Sequence, residues 1–392
     1  MNALRTAIIG VGYMGTAHAI CINGGEIKGL TLSALCDSSA ERCDFLREKF
    51  PETPIFTDFG DILNDKNIDA VIIATPHPSH AKIAEAALNA GKHVLVEKPV
   101  DISVSSAQRL NKTAEKSGKV FAIMFNQRTN GIYRRAREIV KGGELGELKR
   151  TVWIVTNWYR TQSYYDSGKW RATWAGEGGG VLLNQAPHNL DLWQWICGMP
   201  CAVTAFCDVG KYHNIEVEDD VTIHTRYKNG ATGVFITSTG EYPGTNRLEI
   251  SGDRGKCIIE NGVLKLWQLK KSERELCFTS NQRTFDCEIE YSEYTPRFPE
   301  TAHKGILSNF ANAVLNGEPL ISNGTEGINE LTLSNAAYLS SWCGSKEIEL
   351  PLDTDLFDKM LGERIAASKY KDGENNPNDT FGGYKERWSV KW

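Results

Sequence analysis

Three constellations in this sequence bring together residue types that can bind a nucleotide or move a proton. The first is Gly10-Val11-Gly12-Tyr13-Met14-Gly15, directly after the apolar run Ala7-Ile8-Ile9. It reads as a turn from a strand into a helix. Gly10 permits a tight turn, Gly12 lets a pyrophosphate approach the backbone, and Gly15 allows close helix–strand packing. The helix N-terminus then offers N–H groups and a positive dipole to phosphates. A second apolar run, 32–36, ends in Asp37. A carboxylate there can hold ribose hydroxyls and repels a 2′-phosphate, and Ser38-Ser39 brings no arginine to receive one. The pattern predicts NAD as the cofactor in preference to NADP.

The second constellation has two parts. Thr75-Pro76-His77-Pro78-Ser79-His80 follows the run 70–74, and Glu97-Lys98-Pro99 follows the run 93–96. In an open α/β sheet, ligands sit at the carboxyl ends of strands, so both parts face one crevice. Lys98 beside a bound cofactor can hydrogen-bond a substrate hydroxyl and help to move its proton. The tripeptide alone also fits a surface lysine ion-paired to a neighbour. Pro99 is a candidate for a cis bond.

The third runs from Gly178-Gly179-Gly180 through Asn184 and Pro187 to His188 and Asp191. A helix from about 183 would put Asn184 and His188 on one face. Leu190, Trp193 and Cys197 would bury on another. Pro187 is tolerated only in the first turn, so the helix cannot start much earlier. A histidine near a helix start, after a glycine run, suits a general acid or base. A satisfied core histidine fits the same spacing.

The elements that must position these residues fall into two rhythms. Up to about residue 125, short apolar runs at 7–9, 32–36, 70–74, 93–96 and 120–125 alternate with helix-length segments. One such segment carries Ile83, Ala87 and Ala90 and closes at Gly91, and another spans 103–118. This alternation predicts an α/β Rossmann domain over 1–125, with a buried parallel sheet and helices on both faces. Beyond 150, strand-like runs fall at 152–156, 202–206, 221–227, 232–238, 247–250, 256–260 and 263–267. Asn229-Gly230, Arg254-Gly255 and Asn261-Gly262 mark turns between them, and Asn-Gly is a strong hairpin signal. An α+β domain over 126–352 is expected, with a large, mainly antiparallel open sheet and helices at 302–316 and 325–342. A C-terminal segment over 353–392 reads as an exposed helix followed by an arm, which carries Tyr384, Trp388 and Trp392.

Composition excludes several function classes. The chain has 392 residues, 41% apolar and 24% charged, and a net charge of −5. That is an ordinary globular balance with chain enough for a large core. A disordered chain would need lower hydrophobicity and higher charge. The pI of 6.0 argues against a nucleic-acid partner. No apolar run approaches the ~18–20 residues of a membrane helix, and the first residues do not read as a signal peptide. A cytoplasmic location is expected. The ten cysteines show no paired spacing and read as reduced thiols. No metal site is expected, because His80, His188 and the cysteines lack ligand spacing.

In order and spacing, the glycine motif, Asp37, Thr75-Pro76 with His80, Glu97-Lys98-Pro99, and the glycine run with His188 and Asp191 resemble the glucose–fructose oxidoreductase/inositol dehydrogenase (Gfo/Idh/MocA) family. The resemblance spans roughly residues 5–350. It implies hydride transfer between nicotinamide C4 and a carbinol of a sugar or cyclitol, and a homodimer or homotetramer formed through the C-terminal sheet. It implies Lys98 as the active-site lysine and His188 as the acid/base. It places Gly10, Gly12, Tyr13, Met14, Gly15, Asp37, Thr75, Pro76, His77, His80, Glu97, Lys98 and Asn126 around the cofactor.

Two positions depart from the family pattern. Many relatives have Asp where this chain has Asn184. An amide cannot usefully accept a proton, so Asn184 reads as holding a sugar hydroxyl, as in relatives that oxidise C3 of a hexose ring. His77 stands where Asn is common, which alters contacts to the nicotinamide ribose. Six of the ten tryptophans, Trp153, Trp158, Trp170, Trp174, Trp193 and Trp195, crowd one segment. Trp158, Tyr159, Trp170 and Trp174 are expected to form an aromatic wall for a pyranose C–H face, with Arg128 and Arg171 orienting hydroxyls. Trp153, Trp193 and Trp195 read as structural. The expected activity is NAD-dependent oxidation of a ring hydroxyl, at C3, in a sugar, glycoside or cyclitol. An NAD-dependent glycoside hydrolase acting by transient C3 oxidation and elimination would use the same parts. So would a non-catalytic NAD-sensing regulator.

Overall fold

Aliphatic runs buried on both faces build the first sheet in the computed structural model, which describes residues 3–284 and 287–369. Its strands are β1 (Leu4–Ile9), β2 (Leu30–Cys36), β3 (Ile55–Phe56), β4 (Ala70–Ile73), β5 (His93–Val96) and β6 (Phe121–Ile123). They lie in the order β3-β2-β1-β4-β5-β6, and every pair is parallel. All four residues of β4 are buried, as a strand covered by helices on both faces requires. The strand order reverses between β1 and β4, which opens a crevice at their carboxyl ends. The Rossmann architecture is the expected one. The two-residue edge strand β3 is an addition that its length hides from pattern reading. Helix Val104–Ser117 also begins and ends where expected. The Ser103 hydroxyl accepts from the Ser106 N–H, and Gly118 closes the helix in a left-handed conformation.

The second sheet contains β7 (Leu148–Val155), β8 (Ala202–Val209), β9 (Glu218–Arg226), β10 (Thr232–Ser238), β11 (Asn246–Gly252), β12 (Gly255–Glu260), β13 (Val263–Leu269), β14 (Ile289–Tyr294) and β15 (Ile348–Glu349). Its order is β14-β13-β12-β11-β7-β10-β9-β8-β15. Neighbours are antiparallel except the central pair β7 and β10, which run parallel. Buried and exposed residues alternate along β9, so one face meets the core and the other meets solvent. Trp193, on helix Pro187–Cys197, donates from Nε1 to Thr151 Oγ1 of β7 at 2.9 Å. Its ring lies 5.4 Å from that of Phe235 on β10. Trp153 donates to Asn246 Oδ1 at 3.0 Å. Trp195 packs under the guanidinium groups of Arg128 and Arg137.

Helix Thr354–Ala367 corrects an expectation, because it is not simply exposed. It buries Phe357 and Leu361. Phe357 stacks on Trp342, and the Arg364 guanidinium lies 3.8 Å from the centre of the Trp342 ring. Met360 and Ile365 pack against the same core, so the apolar residues at 357, 360, 361 and 365 form one helical stripe. The arm expected after it lies outside the described residues. Among the described residues, no helix is long and apolar enough to cross a membrane.

Arg128 is a second correction. It was expected to orient substrate hydroxyls, yet it is only 1% exposed. Its Nε and Nη2 donate to the two oxygens of Asp191 at 2.8 and 2.7 Å, and its Nη1 donates to Glu326. This fork ties the turn after β6 to helix Pro187–Cys197. Nη1 also donates to the Ile321 carbonyl at 3.4 Å, so the guanidinium is spent mainly on partners within the fold. Removing one partner of a buried ion pair leaves the other charge uncompensated. Arg128→Met should therefore lower the unfolding free energy by about 3–5 kcal/mol in urea denaturation. An unchanged midpoint and slope would show that this pair does not hold the two elements together.

Candidate active site

The glycine turn sits at the end of β1, facing the turn that follows β4. Gly10 has φ +83°, and a Cβ on it would stand 2.6 Å from the Thr75 nitrogen. A Cβ on Gly15 would stand 2.1 Å from the Gly10 carbonyl oxygen. Nothing lies within 4 Å of where a Gly12 Cβ would be, so that side of the turn is open. Gly12 caps helix Tyr13–Asn23 without a side-chain cap bond. The open backbone and the uncapped helix start form a cradle that suits a pyrophosphate. Asp37 closes the far side. Its Oδ2 accepts from Val11 N at 2.9 Å and its Oδ1 from Ser39 N at 3.0 Å. A residue that local sequence reading missed joins them. Arg42 donates to the Val11 carbonyl at 2.6 Å and lies over the Phe45 ring.

The turns after β4 and β5 are braced to each other. His80 places Nδ1 2.7 Å from the Pro99 carbonyl and Nε2 2.7 Å from the Thr75 carbonyl. The Lys98–Pro99 bond is cis. Both His80 nitrogens face backbone oxygens, which places the ring as a brace between the two turns. Glu97 also has a bracing contact. Its Oε1 lies 2.8 Å from His18 Nε2, on the helix that follows the glycine turn, and its Oε2 accepts from Lys98 N. Burial alone would raise the Glu97 pKa, yet His18, His303 and Lys98 hold it down at about 2. Asn126 is buried and donates to His303 Nδ1 at 3.4 Å. Neither His18 nor His303 lies in a recognisable motif, so sequence reading missed both. Ser79 donates to the Thr75 hydroxyl at 2.7 Å, beside Pro76.

Lys98 reaches from β5 across the crevice to the second half of the chain. Its Nζ donates to the Asn184 backbone carbonyl at 2.6 Å. That carbonyl is available because the helix does not begin at 183. Residues 180–186 form turns, with Asn184 N bonded to Gly180 O and Ala186 N to Val181 O, and the helix starts at Pro187. Asn184 therefore precedes the helix instead of sharing a helical face with His188. His188, the second helical residue, is buried with its ring 6.4 Å from that of Phe125. Burial, aided by nearby Lys98 and His303, pushes its pKa well below the usual histidine range. Burial also lowers Lys98, against the opposing pull of Glu97, Glu330 and Glu177. The arrangement can therefore offer a neutral imidazole and, beside it, an anchored amine.

The expected aromatic wall is only partly there. Trp158 is 2% exposed and donates to Asn189 Oδ1 at 3.3 Å. Trp174 packs edge-on against Tyr338 and Trp342, each 5.6 Å away. Both rings are packed into the core, unlike the exposed face expected of a wall. Tyr159 is exposed and pairs with Tyr242. Arg171 lies 4.7 Å over the rings of both Trp170 and Tyr164, and it is close enough to affect the titration of His77 and Glu177. Tyr164 and Glu177 were not singled out from sequence. Buried Glu177 accepts on its carbonyl from His77 Nδ1 at 3.1 Å, and on its carboxylate from Asn184 Nδ2.

Comparison with known proteins agrees with this fold. Residues 4–125 match the profile of an oxidoreductase family with an NAD-binding Rossmann fold, and residues 133–258 match the GFO/IDH/MocA C-terminal domain. A Thermotoga maritima protein named myo-inositol 2-dehydrogenase is 25% identical over 345 residues, covering 86% of this chain and 96% of its own. An uncharacterized oxidoreductase of Schizosaccharomyces pombe is 30% identical over 262 residues, covering 65% and 70%. The crystal structure of the WlbA dehydrogenase of Bordetella pertussis, in complex with NADH and UDP-GlcNAcA, superposes with a TM-score of 0.74 at 25% identity. That match covers 90% of this chain and 100% of the other.

Asp37 and Arg42 together set an expectation for the cofactor. Asp37→Ser removes the carboxylate but leaves the guanidinium on the turn. NADH affinity should fall about tenfold or more, the worth of a hydrogen bond to a charged group, while NADPH affinity rises. Fluorescence titration with both nucleotides checks this. An unchanged ratio of the two affinities would contradict it.

Proposed function

This chain belongs to the GFO/IDH/MocA oxidoreductase family, with its NAD-binding Rossmann fold, and from that premise we propose that it oxidises a ring hydroxyl, at C3, of a sugar, glycoside or cyclitol. The observation that carries this reading is the Lys98 amine anchored 2.6 Å from the Asn184 carbonyl, next to buried His188. The names of the Thermotoga and Bordetella relatives support the substrate class.

The Gly10–Gly15 turn, Asp37 and Thr75-Pro76 would hold NAD, which supplies the hydride acceptor when bound. His188 takes the hydroxyl proton, because burial keeps its imidazole neutral. Lys98 spends one N–H on Asn184 and keeps its others for the substrate oxygen. It orients that oxygen and offsets the negative charge that grows on it. Asn184 holds a neighbouring hydroxyl. Tyr159 and Trp170 offer apolar ring faces to the C–H side of the sugar, and Arg171 donates to its hydroxyls.

Purified protein with NAD should produce NADH from at least one of glucose, methyl glucosides, nitrophenyl glycosides or inositols. Lys98→Ala and His188→Ala should each lower kcat by about 10²- to 10⁴-fold, the range for lost acid–base catalysis, with NAD affinity kept within a few-fold. Full activity in both variants would contradict the assignment. Release of nitrophenol without NADH would point to elimination instead.

The pH profile follows from the sign of the His188 shift. A lowered pKa keeps the base form present at lower pH. kcat/KM for oxidation should therefore show no acid-side inflection at about 6.5, the ordinary histidine value. An inflection there that vanishes in His188→Ala would mean that His188 titrates as an exposed histidine does.

A further inference from the structure

Glu177 carries no role in the chemistry described so far, yet its carboxylate is buried beside that chemistry and fully engaged. Its Oε2 accepts from the Ala172 N–H at 2.6 Å, and its Oε1 accepts from the Asn184 side-chain Nδ2. Both contacts are donations to the carboxylate. Burial raises the Glu177 pKa, and the cations Arg171 and Lys98 oppose that rise in favour of the ionised form. An ionised carboxylate only accepts hydrogen bonds. The Asn184 amide therefore has one allowed orientation, with nitrogen inward and Oδ1 outward. Asn184 is half-buried, and no described residue donates to that oxygen.

The Ala172 contact is equally constrained. Ala172 is fully buried with φ +54°, a left-handed backbone that alanine rarely adopts. Its N–H cannot turn to water, so it needs an acceptor at that place. The same carboxylate thus fixes the segment carrying Trp170 and Arg171, and the polarity of Asn184.

We propose that Glu177 is a specificity-determining positioning residue: by clamping the amide of Asn184 it makes that side chain present an acceptor alone, so the site selects a substrate with a free hydroxyl, a hydrogen donor, next to the oxidised carbon. Ethers, fluorine and deoxy positions are rejected there. This rests on the polyol reading given above.

Glu177→Gln tests the clamp through an inversion. The Ala172 N–H must still meet an oxygen, so the introduced amide turns its carbonyl to Ala172 and its NH₂ to Asn184. Two NH₂ groups cannot face each other, so the Asn184 amide flips and presents its NH₂ outward. The probes are the fastest-oxidised polyol among glucose, methyl glucosides and myo-inositol, and its analogue with fluorine in place of a hydroxyl beside the oxidised carbon. The unmodified protein should prefer the hydroxyl by about tenfold or more in kcat/KM, because a site built to accept a substrate O–H rejects the analogue without it. In Glu177→Gln that preference should shrink at least fivefold. A merely structural role would lower both rates alike and leave the preference unchanged, which would overturn the proposal.

A second arm needs no substrate. Asn184→Asp sets two carboxylates against each other and should lower Tm at pH 8. The double variant Glu177→Gln/Asn184→Asp should recover most of that loss, because the introduced amide then donates to the introduced carboxylate. Failure of this rescue overturns the clamp. Rescue with no polyol oxidised at all would instead mark failure of the polyol reading, with the clamp upheld.

Discussion

An amine drawn into a protein crevice must find an acceptor, because burying a charge without a partner is costly. Lys98 finds its acceptor in the Asn184 carbonyl, across the gap between the two halves of the chain. Much of the local structure serves that one hydrogen bond. The chain after the glycine run stays in turns until Pro187, which leaves the carbonyl unspent by the helix. His80 holds the peptide after Lys98, and Glu97 ties the residue before it to the helix that follows the glycine turn. The buried fork of Arg128 on Asp191 fastens the helix that carries His188. The position of the amine is thus set from both sides before any ligand arrives.

The same crowding separates the roles of two basic groups. Burial disfavours the charged form of both groups, and Lys98 further disfavours protonation of His188. Carboxylates oppose this for Lys98 through Glu97, Glu330 and Glu177. His188 has a single opposing carboxylate, Glu97, and is pushed well below its usual range. The outcome is a neutral base beside a group that remains the better cation. In the proposed reaction, environment, more than residue type, assigns the two functions.

What was legible in the sequence was local. The glycine turn, the aliphatic runs of the parallel sheet and the Asn-Gly hairpins are each carried by neighbouring residues, so their geometry follows from short strings. The fates of Arg128, Trp158 and Trp174 depend on partners far along the chain. Arg128 meets Asp191 and Glu326, and Trp174 meets Tyr338 and Trp342. Spacing cannot distinguish an arginine that faces a ligand from one that faces a buried aspartate. Glu177 was invisible for the same reason, since its meaning lies in contacts with Ala172 and Asn184. β14 escaped notice because all but its last side chain are exposed, so no buried face marks it as a strand.

The central claim is that the crevice moves a hydride from a ring carbon to NAD while Lys98 and His188 manage the proton. Carbon-deuterated glucose, methyl glucoside and myo-inositol, each incubated with the protein and NAD, test it most directly. The account predicts NADH that carries one deuterium at nicotinamide C4, formed one-for-one with a ring ketone. Loss of the methyl aglycone with no accumulation of deuterated NADH, or no label transfer from any of the three, would contradict it.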